Sequence, residues 1–521
     1  MSIWPTRRGS RGARLTSASA VVGVGLLALW AQPACAQTAA KPATATAPPA
    51  ATAATAPMTE AERQHIEQEL QQLLSMRSEF DQRIGALEVE LHGSATPPAT
   101  PPASASATEI QTIPGAQASA SPPVKWGGFE PGKGLILMRS DMGEVDMGMV
   151  SYLRYLNQDG LDKTATSAFG QPFSIQPRED FQLAKVQITF RGWLFDPRFG
   201  YNAYVWTSQA SQGQGAQVVV AGNLNWTFSD ALRVYFGVQS VPSTRSTNRT
   251  FPYWLRNDNR PIADEFFRGS YTQGIWADGK IARGLEYRVM IANNLSALGV
   301  SALQLDPHPN TVSGALTWMP STGEFGPGNG MGDFENHQQF ATLFSAHYTR
   351  STETPQSQPG TDSIENTQIR FSDGTLVFNP TAFPNGKITQ LLYQMTAWDA
   401  AAKYKGYSLE FEYYARWLNQ LHVTGTIPFN DFFDQGFSLQ GSAMILPKTL
   451  QAYVSGSKIY GQFGDPYDLA VGLNYFPFKR RDLRVNLMGL WVSHSPVGYT
   501  AYPVPVGANG FTFVGDFSLA F

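Results

Sequence analysis

From about residue 125 to the C-terminus, apolar and polar residues alternate with a period of two. Val186, Ile188 and Phe190 alternate with Lys185, Gln187, Thr189 and Arg191. Val218, Val220, Leu224, Trp226 and Phe228 alternate with Asn223, Asn225 and Thr227, and Leu232, Val234, Phe236 and Val238 with Arg233, Tyr235 and Gln239. Tyr407, Leu409, Phe411, Tyr413 and Trp417 alternate with Ser408, Glu410, Glu412 and Arg416; Leu483, Val485, Leu487 and Trp491 alternate with Arg484 and Asn486. Successive side chains of a strand point to opposite faces, so each run predicts a strand with one apolar and one polar face. A soluble sandwich would explain one or two such strands. It explains less well why so many run about nine to twelve residues with aromatics near their ends, the length a tilted strand needs to cross a bilayer.

Connections alternate between short and long. Tight turns are expected at FDPRFGY (195–201), FSDALR (228–233), GKIARGL (279–285), KYKGYS (403–408), LPKTLQ (446–451) and FKRRDLR (478–484). Long polar segments fall at about 157–180, 240–264, 295–310, 419–431 and 494–508. The Gly-rich stretch STGEFGPGNGMGDFENH (321–337) fits neither class readily. The pattern predicts an all-β fold: a transmembrane antiparallel β-barrel of about 16 strands over 125–521, wide enough for a water-filled lumen. The final segment FTFVGDFSLAF sets Phe511, Phe513, Phe517, Leu519 and Phe521 on one face. It resembles the barrel-assembly signal of bacterial outer-membrane proteins, with Phe521 as its terminal aromatic.

Ahead of the barrel the period changes. Ile66, Leu70, Leu73, Phe80, Ile84, Leu87 and Leu91 follow 4-3 spacing within 58–93, with Arg77 at a polar core position. Thr59 and Glu62 form a capping-box pattern and Gly93 a stop. About four heptads of α-helical coiled coil are predicted, the alternative being a lone amphipathic helix on the barrel or membrane. Segments 37–57 and 94–124, rich in Ala, Pro, Thr and Ser, read as linkers. Residues 1–36 read as a secretory signal: Arg7, Arg8, Arg11 and Arg14, the apolar run AVVGVGLLALW, then small residues at Ala34 and Ala36. Cys35, the one cysteine, lies inside that signal, so the mature chain would carry no thiol, disulfide or cysteine metal site.

Composition agrees with a membrane barrel. Charged residues are 15% of the chain, against about 25% in soluble proteins, and aromatics are 12%. A net charge of −3 argues against nucleic acid as a partner. No G-x-S-x-G, H-E-x-x-H or P-loop is present, and GPGNGMG (326–332) lacks the strand-then-helix context of a phosphate loop. The seven histidines show no ligand spacing. No enzyme activity, cofactor or metal is expected.

In its signal, coiled-coil leader, linker and barrel, the chain resembles the phosphate-selective outer-membrane porins of the porin O/P type. The likeness includes FEPGKGLILMRSDMGEVDMGMVSYLRYLNQ (129–158), ALRVYFGVQSVPSTRSTNRT (231–250) and the terminal Phe521. The resemblance implies a homotrimer in the bacterial outer membrane, inward-folded loops that narrow the pore, and anion passage past basic residues. Contact with outer-membrane lipid, lipopolysaccharide and the barrel-assembly machinery would follow, and through the leader a peptidoglycan contact. One departure concerns phosphate itself. Residues 133–521 hold 10 Lys and 19 Arg against 31 acids, and no lysine cluster stands out.

The densest basic run is STRSTNRTFPYWLRNDNRP (243–261), with Arg245, Arg249, Arg256 and Arg260 against Asp258 alone. Folded into the lumen, these arginines would form an anion-attracting constriction, because a guanidinium stays charged and binds oxyanions bidentately. The alternatives are an outer loop pairing with lipopolysaccharide phosphates or with Asp258, Asp264 and Glu265, and a trimer contact. Inward strand positions Arg154, Lys185, Arg191, Arg233, Arg288, Arg416 and Arg484 could line the pore, or pair with lumen acids to stiffen the wall. The expectation is a passive channel for small hydrophilic solutes, favouring anions such as phosphate or other oxyanions. The rival is a structural barrel whose loops plug the lumen and whose leader tethers it to the cell wall.

Overall fold

The computed structural model describes residues 127–521 except 131, 209–216, 298–307, 359–367 and 499–501. The expected signal, linkers and coiled coil lie outside the described residues. Sixteen antiparallel strands form the wall: β1 (Gly143–Leu161), β2 (Glu179–Leu194), β3 (Asp196–Ser208), β4 (Gln217–Ser229), β5 (Leu232–Ser240), β6 (Tyr271–Ala282), β7 (Leu285–Ala292) and β8 (Thr311–Trp318). They continue as β9 (Ala341–Glu353), β10 (Gly386–Tyr404), β11 (Tyr407–Gly425), β12 (Phe432–Leu446), β13 (Leu450–Tyr460), β14 (Tyr467–Tyr475), β15 (Leu483–Ser493) and β16 (Gly510–Ala520). Each pairs with its neighbour in sequence, and β16 pairs with β1 to close the barrel. Closure leaves no edge of unpaired backbone groups, which a bilayer would penalise.

The seam is built from both ends of the barrel domain. β16 reaches Ala520 opposite Val150, and the Phe521 amide donates to the Met149 carbonyl at 2.9 Å. The strand Gly134–Arg139 then carries on in line, pairing Leu135 with Met147 and Ile136 with Asp146. Phe521 thus ends where the leading strand begins, its ring 5.9 Å from Phe129. Gly134 enters at φ +90°, and a β-carbon there would run into the Met147 carbonyl. Gly134→Val is therefore expected to open the seam and lower the temperature at which the barrel loses its heat-modifiable band on gels. An unchanged transition would contradict this role.

The outer face carries the apolar half of the alternation. Val220, Phe236, Ile291, Leu316, Leu409, Leu439, Val471 and Leu487 are all exposed, far more apolar surface than a soluble monomer shows. Phe344, Trp318, Tyr404, Tyr407 and Tyr475 ring the short-turn end. Trp417, Phe433, Tyr460, Tyr467 and Trp491 ring the other, so the surface has the apolar band and two aromatic girdles of a transmembrane barrel. No helix among the described residues is long and apolar enough to cross a membrane.

All six expected tight turns join consecutive strands at one end. The Gly-rich stretch lies between β8 and β9 at that same end, where every other connection is short. At the opposite end, rings from three connections cluster against the wall. Phe169, Phe371, Phe383 and Phe463 pack with centroids 4.8–6.1 Å apart, and Val497, Tyr502 and Val504 join the same core.

Candidate functional site

The connection 241–270, between β5 and β6, folds into the barrel. It leaves the wall where the Val241 amide donates to the Ser270 carbonyl at 2.8 Å. A short turn at Arg245–Thr247, capped by Thr244, redirects it. It ends in a buried helical turn, α1 (Ile262–Phe267), preceded by Pro261, whose fixed φ suits a helix start.

Three of its four arginines meet acids that the walls point inward, and Arg260 meets one of the loop's own. Arg245 pairs with Glu410 of β11 at 3.0 Å, and its backbone amide donates to Glu412 at 2.9 Å. Arg256 pairs with Asp468 of β14 and donates to Ser455 at 2.8 Å. Arg260 pairs with Glu265 at 3.2 Å and lies 4.0 Å over the Trp254 ring. Arg249 reaches the other way, to Asp278 of β6. These pairs carry the loop across the lumen from β6 to β11 and β14. Arg245, Arg256 and Arg260 are buried in them, and Arg245 and Arg256 do not face open space. Arg249 alone of the four keeps an exposed side chain, at 41%. Burial pushes the Asp264 carboxyl of α1 above the usual range, although Arg260 and the hydroxyls of Ser246 and Thr244 pull it down.

The strand arginines divide in the same way. Arg154 pairs with Asp258 of the loop at 2.5 Å and Asp516 at 3.1 Å. Arg416 pairs with Asp434 at 2.7 Å and stacks 4.0 Å over Phe266. Arg484 donates to the Trp254 carbonyl at 2.7 Å and to Asn257. These three hold the loop or stiffen the wall. On the opposite wall, Arg288 bonds to Gln239, Arg191 donates to the Gly132 carbonyl at 2.7 Å, and Arg233 is exposed beside Tyr235. Lys185 is buried 4.9 Å from the Trp206 ring.

The lumen is thus asymmetric. Inward residues of β8–β16 are buried, among them Ser313, Thr349, Ser438, Ser455, Asn474, Asn486 and Thr512. Inward residues of β2–β5 are half-buried at Gln187, Thr189, Asn225, Thr227 and Tyr235, with Lys185, Tyr204, Trp206 and Asn223 buried. Between the loop and this second wall lies a cavity of about 200 Å³. It is lined by Arg249, Arg260, Arg268 and Arg288 with Gln187, Asn202, Asn223 and Gln239.

A second segment enters from the short-turn end: 319–340, the Gly-rich stretch. The Met331 amide donates to the Tyr253 carbonyl at 2.8 Å, and Gly332 to Glu410 at 2.8 Å. Lys403 of β10 donates to the Phe325 carbonyl at 2.8 Å and the Gly330 carbonyl at 2.6 Å. Arg481 pairs with Glu335 at 2.9 Å. Gly332 sits at φ +72°, and a β-carbon there would strike the Gln451 amide. The stretch is not a plain turn but the partner on which the arginine loop rests. Its run of glycines was the available signal, and Lys403 and Arg481 carried none.

The strands also gather His347, Asp399 and Glu412, whose donor atoms lie within 4.8 Å of one another. They are far apart in sequence, so spacing along the chain could not reveal the group.

No protein-family model matches the chain, and no curated protein matches it. Among solved structures, the anion-selective porin from Comamonas acidovorans is 12% identical, the match covering 73% of this chain and all of that one at a TM-score of 0.44. The outer-membrane channel DcaP of Acinetobacter baumannii is 9% identical over 73% of this chain and 98% of that one, at 0.44. Salmonella typhi OmpF, in complex with daunomycin, is 11% identical over 73% and 98%, at 0.41.

Proposed function

We propose that the chain is an outer-membrane porin: a passive, anion-favouring diffusion channel for small hydrophilic solutes, with no catalytic activity. The observation that carries this reading is the separation of charge across the lumen. Inward acids of the packed half, including Asp399, Glu410, Glu412, Asp434, Asp468 and Asp516, are buried there. Arg245, Arg256, Arg154 and Arg416 neutralise four of them. The half-buried wall instead presents Arg191, Arg233, Arg249 and Arg288. Asp278 is held by Arg249, Asp180 by Arg178, and Asp146 of β1 lies opposite Arg191, while Lys280 and Glu286 sit opposite each other near the turn, which leaves Arg233 and Arg288 in excess. Where the wall is wet, the excess is positive, and a confined positive field draws anions and repels cations. In this reading the constriction belongs to Arg249 with Arg288 rather than to all four loop arginines. Oxyanions such as phosphate fit its guanidinium chemistry.

The family resemblance supports a homotrimer, with the short-turn end facing the periplasm. Reconstituted protein in planar bilayers is expected to insert in steps of three conductance levels, with a reversal potential on the anion side of a salt gradient. Cation selectivity would sink the anion reading. The packing of loops against β8–β16 favours a second reading, a plugged barrel that serves as a structural tether, and absence of any conductance would select it.

A further inference from the structure

We propose that His347, Asp399 and Glu412 form a site for one divalent transition-metal cation of the zinc class, at the root of the inward loop. The three come from adjacent strands β9, β10 and β11, and Asp399 and Glu412 are directly opposed in register. All three are buried. His347 Nδ1 lies 3.0 Å from the Pro242 carbonyl, to which it can only donate. Nε2 of the ring so held faces Asp399 Oδ2, 3.1 Å away. A nitrogen and a carboxylate oxygen at that distance share either a proton or a metal ion. The separation is close to the roughly 3.3 Å expected for two donors each about 2.0–2.1 Å from a tetrahedral zinc ion. A ligand histidine that donates its other ring nitrogen to a backbone carbonyl is the usual supporting arrangement.

The charge balance points the same way. The second oxygen of Asp399 has no hydrogen-bond partner among the described residues. No Arg or Lys nitrogen of the described residues lies within 4.0 Å of either carboxylate, since Arg245 reaches Glu410 instead. Glu412 is met by the Arg245 amide at 2.9 Å and the Tyr414 hydroxyl at 2.9 Å, both of which leave a lone pair for a metal. Two facing buried carboxylates need a compensating positive charge, and a metal cation supplies it to both at once. An ion here would tie β9, β10 and β11 to Pro242 and Arg245, where the loop turns inward.

The test uses the full protein in detergent, stripped with EDTA and titrated with zinc chloride by calorimetry and with cobalt(II) by visible absorption. One saturable ion per chain is expected. At least a tenfold loss of affinity is expected in His347→Gln and in Asp399→Asn, a near-isosteric change, with both variants keeping heat-modifiable migration as evidence of folding. No saturable binding, as when a shared proton balances the site, would overturn the proposal. Binding that both folded variants leave intact would overturn it too. The readout involves no current, so it stands or falls apart from the channel reading.

Discussion

Replacing Arg249 with alanine is expected to lower the anion-to-cation permeability ratio about tenfold at low salt, which reversal potentials across a salt gradient would measure. Arg249 is the exposed guanidinium of the loop, and it covers the buried Asp278. Its removal therefore acts twice, deleting a positive charge and uncovering a negative one on the same wall. Two unit charges in water interact by about 1 kcal/mol at 4 Å. A change of that size, opposite in sign for anion and cation, compounds in the ratio. High salt should shrink the effect, since the screening length is only about 3 Å at 1 M. The double variant Arg249→Ala, Asp278→Asn should recover part of the selectivity, because Arg288 and Arg233 remain. A ratio unmoved by Arg249→Ala would place the solute path elsewhere.

The barrel was legible because a membrane wall imposes one rule on every strand. The alternation that marks Val186–Arg191 or Tyr407–Trp417 is the direct imprint of lipid outside and polar interior inside, and the short turns follow from chain economy at one end. The lumen was legible only in outline. Sequence shows that 243–261 is basic, and the fold shows that two of its four arginines are consumed by acids on distant strands and a third by Glu265 of the loop's own helical turn. Glu410 and Asp468 lie 165 and 212 residues beyond Arg245 and Arg256, as their numbering shows. No local pattern announces such partners. The same holds for the 319–340 segment, whose glycines signal special backbone angles but not the loop it supports. Inwardness of the basic strand residues follows from parity, whereas their division into wall ties and open positions depends on which half the loops fill.

Arg256→Ala should have the largest effect on the loop itself. Asp468 collects four donors: the Arg256 guanidinium, the Tyr502 hydroxyl at 2.8 Å, the Ser457 hydroxyl at 2.6 Å and the Ile262 amide at 3.3 Å. It thereby joins the arginine loop, α1, the β15–β16 connection and the wall at one carboxylate, and both members of the ion pair are fully buried. Removing one partner of a buried pair strands the other's charge and costs about 3–5 kcal/mol. The wall cannot shift to absorb this, since β14 is hydrogen-bonded along both edges. The loop can. We therefore expect Arg256→Ala to free 241–270 from the far wall, with larger, noisier single-channel currents and protease cleavage within the loop of the folded barrel. Arg256→Ala with Asp468→Asn should restore quiet currents in part, because a neutral amide removes the buried charge and can still engage the Tyr502 and Ser457 hydroxyls. Equal disturbance in the single and double variants would mean that shape rather than charge anchors the loop.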